Sequence, residues 1–529
     1  MTLNESAAAH AASFLYPHGF PTAPSPIKII TLAAVLIFTI SFFVRGKKTK
    51  YSYPPGPKGN LVVGNTFQLD PRFPGAKFAS WGQEYDDMFS IFLGSTRWVV
   101  VNSSKMVREL LDRKGKIYLS RPYFPVTQEI LSGGMRIVLM PHSERWRNLR
   151  KIMHQLLTAK AADSYKPYQE IESRKLIWDY LKAPELFYLH GARFANSVIM
   201  SVVFGRRSSM SEANVKELFS CIDEFMKLQG SPSASFIDGF PFIARWLPVR
   251  LQWYRPKAEK VFHETLKVYE NFFDDLQKRI DRGENPECFA RSLVDLSKQY
   301  NFSDEQQYFC AGTIIEAGSD TTRNQINLML AAAAKYPEWV KKARQELDSV
   351  LGDAKRLPDF DDWESLPYIR AVMKETLRWR PNMIASGVPR VLVEDDVVGP
   401  YRFEKGTVFT WNHYGISHDE QEYKNNQVFD PDRFLNEDLN DMLKGHWGFG
   451  MGRRVCVGWH VGSRNMFISF SRLLYCFDFA EDPSEPIDET RIDAFAHKAA
   501  PFKLNIKPRS QAHADLIERE CRVAGEAVS

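Results

Sequence analysis

The apolar positions along the chain change period several times, and each change marks an element. Residues 27–44, IKIITLAAVLIFTISFFV, are apolar almost without a break, with Lys28 the one charge. As a helix these eighteen residues extend about 27 Å, close to the hydrocarbon thickness of a thin bilayer. Arg45, Lys47, Lys48 and Lys50 follow at once. That bias of positive charge predicts a single-pass signal anchor, with residues 1–26 lumenal and the main body cytosolic. A cleaved signal peptide fits less well, because no small-residue cleavage site follows the run. Residues 45–60 are basic and then proline-rich, with Pro54, Pro55 and Pro57, and predict a stiff, extended hinge.

Beyond the hinge, FSIFLGSTRWVVVNS alternates on either side of Gly94–Ser95 and predicts a hairpin. Residues 121–141 show no clean period and carry prolines at both ends, so a long loop is expected. HSERWRNLRKIMHQLL predicts a helix from about Ser143, which puts Trp146 and Arg150, four apart, on one face. Residues 155–300 read mostly as helices between turns. The clearest stripe is Phe262, Leu266, Tyr269, Phe273, Leu276 and Ile280, spaced for packing. GSPSASFIDGFPF, near 230–242, reads as a loop. Ser303 to Gln306 has the form of a capping box and opens a helix that runs to about Lys335 before Pro337. That helix is about 48 Å long, apolar almost all round in its first half, and should cross the core. Another helix lies between Pro367 and Pro381, and a buried one follows Cys456. Residues 508–529 are polar and carry no readable motif.

Composition narrows the function. Net charge is +5, too mild to imply nucleic acid. The six cysteines have no pairing pattern, which suggests a reducing compartment. The twelve histidines lack zinc-type spacing, so no second metal is indicated.

Three stretches carry candidate chemistry. In FGMGRRVCVG, Gly450 and Gly452 allow a tight turn before Cys456, and a helix starts just after it. A helix start favours thiolate over thiol, and a sulfur anion in a protein usually holds a metal. The ordinary alternative for a free cysteine is a buried small hydrophobe. Within the long helix, AGSDTT (Ala317 to Thr322) places weak helix formers where a local opening of the ladder would leave a pocket. A kink satisfied by its own side chains is the alternative there. On the first helix, Trp146 and Arg150 could grip a carboxylate, though a core tryptophan beside a surface arginine gives the same pattern.

The spacing Phe449, Gly452, Arg454, Cys456, Gly458 matches Phe-x-x-Gly-x-Arg-x-Cys-x-Gly throughout. It resembles the haem-ligand signature of the cytochrome P-450 family, the haem-thiolate monooxygenases. Four further motifs follow the family's order: Trp146/Arg150, Ala317 to Thr322, Glu375/Arg378, and Phe429 to Phe434 with Arg433. The resemblance implies a mainly α fold with a smaller β region and one catalytic domain over residues 61–507. The length prior of several domains is therefore set aside.

By that resemblance the cofactor is haem b, with Cys456 as axial ligand of the iron and Phe449 in the signature around it. Trp146, Arg150, Arg390 and Arg454 would serve the propionates. Thr321 would steady dioxygen and Asp320 would relay protons. Glu375, Arg378 and Arg433 would form a buried network behind the cysteine loop. Residues 121–141 would shape the distal pocket. The implied reaction uses O2 to hydroxylate or epoxidise an apolar organic substrate. Oxidative coupling or desaturation fits the same motifs. A haem carrier or gas sensor would not need Asp320 and Thr321. No dinucleotide-binding fingerprint is present, so electrons would come from a separate NADPH–cytochrome P-450 reductase, with cytochrome b5 as a further donor. ARQELDSVLG and ETLRWRP look most like fungal microsomal members that tailor secondary metabolites. Such members sit in the endoplasmic reticulum membrane.

Overall fold

In the computed structural model, residues 50–69, 74–381, 387–490, 492 and 500–526 are described. The anchor at 27–44, the segment before it and residues 382–386 lie outside the described residues. No described helix is long and apolar enough to cross a membrane.

The central element is the 32-residue helix Asp304–Lys335. Its start is fixed locally. The Ser303 hydroxyl accepts from the Gln306 N–H at 3.4 Å, and the Gln306 side chain accepts from the Ser303 N–H at 3.3 Å. This reciprocal pair satisfies two of the donors that a helix start leaves open. The helix is buried over most of its length, between helices Phe187–Phe204, Arg255–Asp281 and Trp459–Cys476. Together they form the main apolar core.

The expected hairpin pairs Met88–Leu93 with Thr96–Val101, closing at Leu93↔Thr96 over Gly94 at φ 60°. Strand Val408–Trp411 adds in parallel to Thr96–Val101, and Arg390–Val391 adds antiparallel to that. One side of this sheet packs a second apolar cluster containing Val99, Leu111, Phe409 and Trp411, with Trp447 and Met451 from the cysteine loop. Phe449, from the same loop, packs on the main core instead. The loop is therefore wedged between two hydrophobic cores.

Several expectations change. Residues 230–242 are not a loop: Pro232–Gly239 and Pro241–Trp246 are helices. Ser231 caps the first through the Ala234 N–H, and Pro232 occupies its first turn. The segment 121–141 is not wholly irregular, since Pro125–Ile130 forms a π-type turn. Asp238 closes its start, accepting from the Val126 N–H at 2.7 Å and the Thr127 hydroxyl at 2.6 Å. On helix Arg255–Asp281, by contrast, the expected packing stripe holds: Tyr269, Phe273 and Leu276 lie in the main core, and Phe262, Leu266 and Ile280 pack against it while partly buried. The polar tail is a helix, Gln511–Glu526, which buries Leu516, Ile517 and Cys521 and packs on helix Lys166–Lys182.

Candidate functional site

The cysteine loop turns where glycine is required. Gly450 and Gly452 have φ of 69° and 59°. A Cβ on Gly452 would lie 2.4 Å from the Leu111 carbonyl oxygen. The turn closes when the Cys456 N–H donates to the Phe449 carbonyl at 2.8 Å. Helix Trp459–Cys476 then starts at Gly458.

The Cys456 side chain keeps accessible surface although it lies deep within the protein. Burial pushes the thiol above its ordinary range, while the Gly458 N–H and Arg150 pull it down. The helix start does favour thiolate, but not enough to outweigh burial in the protein alone.

Around this loop lies a set of arginines, Arg121 and Arg390 buried and Arg150 and Arg454 half-buried. Arg121 donates to the carbonyls of Val138, Val388 and Pro389 at 2.6 to 2.8 Å. Arg454 donates to Leu119 at 2.8 Å and Met140 at 3.0 Å. Arg390 donates to Leu111 at 2.9 Å and Met451 at 2.8 Å, and its Nε has no partner. Arg150 donates to the Val455 carbonyl. Trp146 is buried, and the Arg454 guanidinium stacks 3.9 Å above its ring. The expected shared face of Trp146 and Arg150 thus meets the cysteine loop at two points.

These cations feel one another. Arg121 is held well below the ordinary guanidinium range by burial and then by Arg454, Arg390 and Arg150. Arg454 is lowered to about 9, by burial and then by Arg390 and Arg150. Asp112 acts on Arg390 through space. No carboxylate pairs directly with any of the four among the described residues. A largely enclosed cationic cluster without a bonded anion is costly. Its chemistry fits a dianionic ligand, and the two propionates of haem meet that need. Sequence reasoning missed Arg121, which belongs to no motif.

The central helix runs unbroken through Ala317 to Thr322. The expected opening is not there. The Thr321 hydroxyl donates to the Ala317 carbonyl at 2.7 Å, one turn back, so the side chain satisfies itself locally. Gly318 serves packing: a Cβ would lie 2.6 Å from Ile199 on helix Phe187–Phe204. Ala317 and Thr321 are exposed in the middle of an otherwise buried helix because they face a cavity of about 1750 Å³. Asp320 also lines it, is 8% exposed and pairs with Arg323 at 3.3 Å. Burial raises its carboxyl to about 6, with Arg323 opposing and Glu316 and Asp223 reinforcing the rise.

Behind the loop, Glu375, Arg378 and Arg433 meet. Arg378 holds both Glu375 oxygens, at 2.6 and 2.7 Å, and Arg433 reaches Oε1 at 3.3 Å. The Asp430 N–H adds a fourth donor at 2.8 Å.

Comparison with known proteins agrees with this architecture. The family model described as Cytochrome P-450 matches residues 54–506. The cytochrome P-450 monooxygenase fogE of Aspergillus ruber is 33% identical, covering 94% of each chain. The cytochrome P-450 monooxygenase virE of Hypocrea virens is 32% identical, covering 94% of this chain and 92% of that protein. The cytochrome P-450 monooxygenase patI of Penicillium expansum is 30% identical, covering 95% and 98%.

Proposed function

The chain belongs to the cytochrome P-450 family of haem-dependent monooxygenases, and from that premise we propose that it hydroxylates or epoxidises an apolar molecule of fungal secondary metabolism. The observation that carries the reading is Cys456, accessible yet set deep in the protein beside Arg121, Arg150, Arg390 and Arg454, none of which has a bonded anion among the described residues. When bound, the cysteine-ligated haem supplies dioxygen binding and its reductive activation.

The chain's own residues have separate tasks. Cys456 would ligate the iron, and Phe449, which packs on the main core, would help to keep water from the sulfur. Arg121, Arg150, Arg390 and Arg454 would hold the propionates, with Trp146 bracing Arg454. Thr321, facing the cavity, would orient a proton donor, and Asp320 would pass protons inward from its buried position. Glu375, Arg378 and Arg433 would fix the loop from behind.

The membrane reading rests on residues 27–44 and on an apolar rim. Phe67 and Trp253 line the cavity while remaining 86% and 58% exposed, so they stand where it meets the surface. Leu61, Trp246, Val249 and Leu251 are exposed too. A single-pass anchor in the endoplasmic reticulum, with the catalytic domain cytosolic, would set this rim against the bilayer. Electrons would come from a separate NADPH–cytochrome P-450 reductase, assisted by cytochrome b5. Arg145, Arg147 and Lys151 are exposed on the helix that carries Trp146 and Arg150, and they offer a cationic docking face.

The test is turnover in yeast microsomes that contain the reductase, with terpenoid, alkaloid and polyketide substrates under oxygen-18. A product carrying one labelled atom supports monooxygenation. A dimeric or desaturated product without label favours oxidative coupling or desaturation instead.

A further inference from the structure

One wall of the cavity carries a charged cluster that the proton and haem roles leave unused. Glu316 lies one turn before Asp320 on the central helix and lines the cavity. Its Oε1 accepts from the Tyr269 hydroxyl, and its Oε2 pairs with the Arg136 guanidinium. Arg136 is 5% exposed and lies 4.1 Å from the centre of the Phe225 ring. Gly312 makes the approach of Tyr269 possible, since a Cβ there would lie 2.4 Å from the tyrosine ring.

Such a cluster is a poor source of stability, because apolar groups filling the same space would avoid the desolvation of two charges. Each carboxylate oxygen takes one donor here and can accept a second. Thr313 stands three residues before Glu316, on the same helix face, and lines the same cavity. It is only 8% exposed, and its hydroxyl oxygen has neither a hydrogen-bond partner nor accessible surface. A turn about χ1 would bring that hydroxyl to the cavity wall that Glu316 also lines. Much of the nearby wall is apolar, including Val138, Leu139, Ile222 and Phe225.

We propose that Glu316 and Thr313 form a polar subsite that binds a hydroxyl group of an otherwise apolar substrate. The substrate O–H donates to the Glu316 carboxylate and accepts from the Thr313 hydroxyl once that side chain turns about χ1. Arg136 and Tyr269 are positioning residues that aim the carboxylate. The substrate class is an alcohol or phenol on an apolar skeleton. This assignment rests on the cavity being the substrate site of the haem enzyme.

The test is equilibrium dialysis of the haem-loaded full chain against 4-phenylphenol and its methyl ether, 4-methoxybiphenyl. The wild type is expected to bind the phenol about tenfold more tightly, the worth of one hydrogen bond to a charged group. Thr313→Val, which preserves shape, and Glu316→Gln, which removes the charge, should each reduce that preference several-fold. Affinity for the ether should stay unchanged. Equal binding of phenol and ether by the wild type overturns the proposal, and so does a preference unchanged in both variants. If the carbon monoxide spectrum of the reduced protein shows thiolate ligation while either of those results holds, the subsite alone fails. If that spectrum is missing, the enzyme reading beneath it fails.

Discussion

Arg378 spans both carboxylate oxygens of Glu375, at 2.6 and 2.7 Å, with both side chains fully buried. The remaining Arg378 donors go to the carbonyls of Ser417, Asn426 and Val428, at 2.7, 2.9 and 3.4 Å. The pair therefore joins helix Pro367–Trp379 to the chain that leads into the cysteine loop. Glu375→Ala leaves two buried guanidinium groups without their anion and should cost about 3–5 kcal/mol. Little haem-loaded protein is expected, as measured by haem per chain and by thermal unfolding. Arg378→Lys should fare almost as badly, because a point charge cannot bridge two oxygens.

Asp320 links stability to pH. Its carboxyl is raised to about 6 in the folded protein, first by burial, against about 4 in an unfolded chain. A raised folded value means that the stabilising contribution is fully present below about 4 and is lost as pH rises through about 6. Asp320→Asn should therefore be more stable than wild type at pH 8, by on the order of 1–3 kcal/mol, and no more stable at pH 4. Its turnover should fall, with more reductant consumed per product. Denaturant midpoints at the two pH values and the ratio of NADPH to product check both parts.

Arg454 lies 3.9 Å above the Trp146 ring and close to other buried cations. Replacing it by methionine removes an anchor for an anionic ligand and also removes like-charge repulsion. Arg454→Met should lose haem roughly tenfold faster to an acceptor such as apomyoglobin, the cost of one charge-assisted hydrogen bond. The haem-free chain should unfold no more easily than the unsubstituted haem-free chain.

Histidines enclosed by the fold, His413 and His418 among them, set the acid limit. Burial depresses His413 to about 4 and His418 to about 3. Both stay neutral in the folded protein while the unfolded chain charges near 6.5. Stability is therefore intact above about 6.5 and falls as pH drops toward 4. The urea midpoint should decline over that window, and a smaller decline in His418→Gln would show this group's share.

The sequence was most readable where chemistry is local. The capping box at Ser303, the three-residue step from Glu375 to Arg378, and the glycines before Cys456 are short-range constraints, and each is in place. What escaped depends on contacts between distant parts of the chain. Arg136 and Glu316 are 180 residues apart, and no local pattern joins them. Arg121 likewise gains its meaning from Arg454 and Val388. The helix at Pro232 was signalled by Ser231–Pro232, but the surrounding serines and glycines gave the stretch a loop-like composition. The terminal helix had Leu516, Ile517 and Cys521 at helical spacing, but only helix Lys166–Lys182 gives that stripe something to pack against. The supposed opening at Ala317 to Thr322 failed because the Thr321 hydroxyl can bond back to its own helix.

The central claim is the bond between the sulfur of Cys456 and haem iron. The direct measurement is the absorption spectrum of the purified protein, reduced with dithionite and exposed to carbon monoxide. The account predicts the strongly red-displaced Soret band of a thiolate-ligated carbonyl complex, lost in Cys456→His with haem still bound. A wild-type spectrum without that displacement, or an unchanged band in Cys456→His, would contradict it.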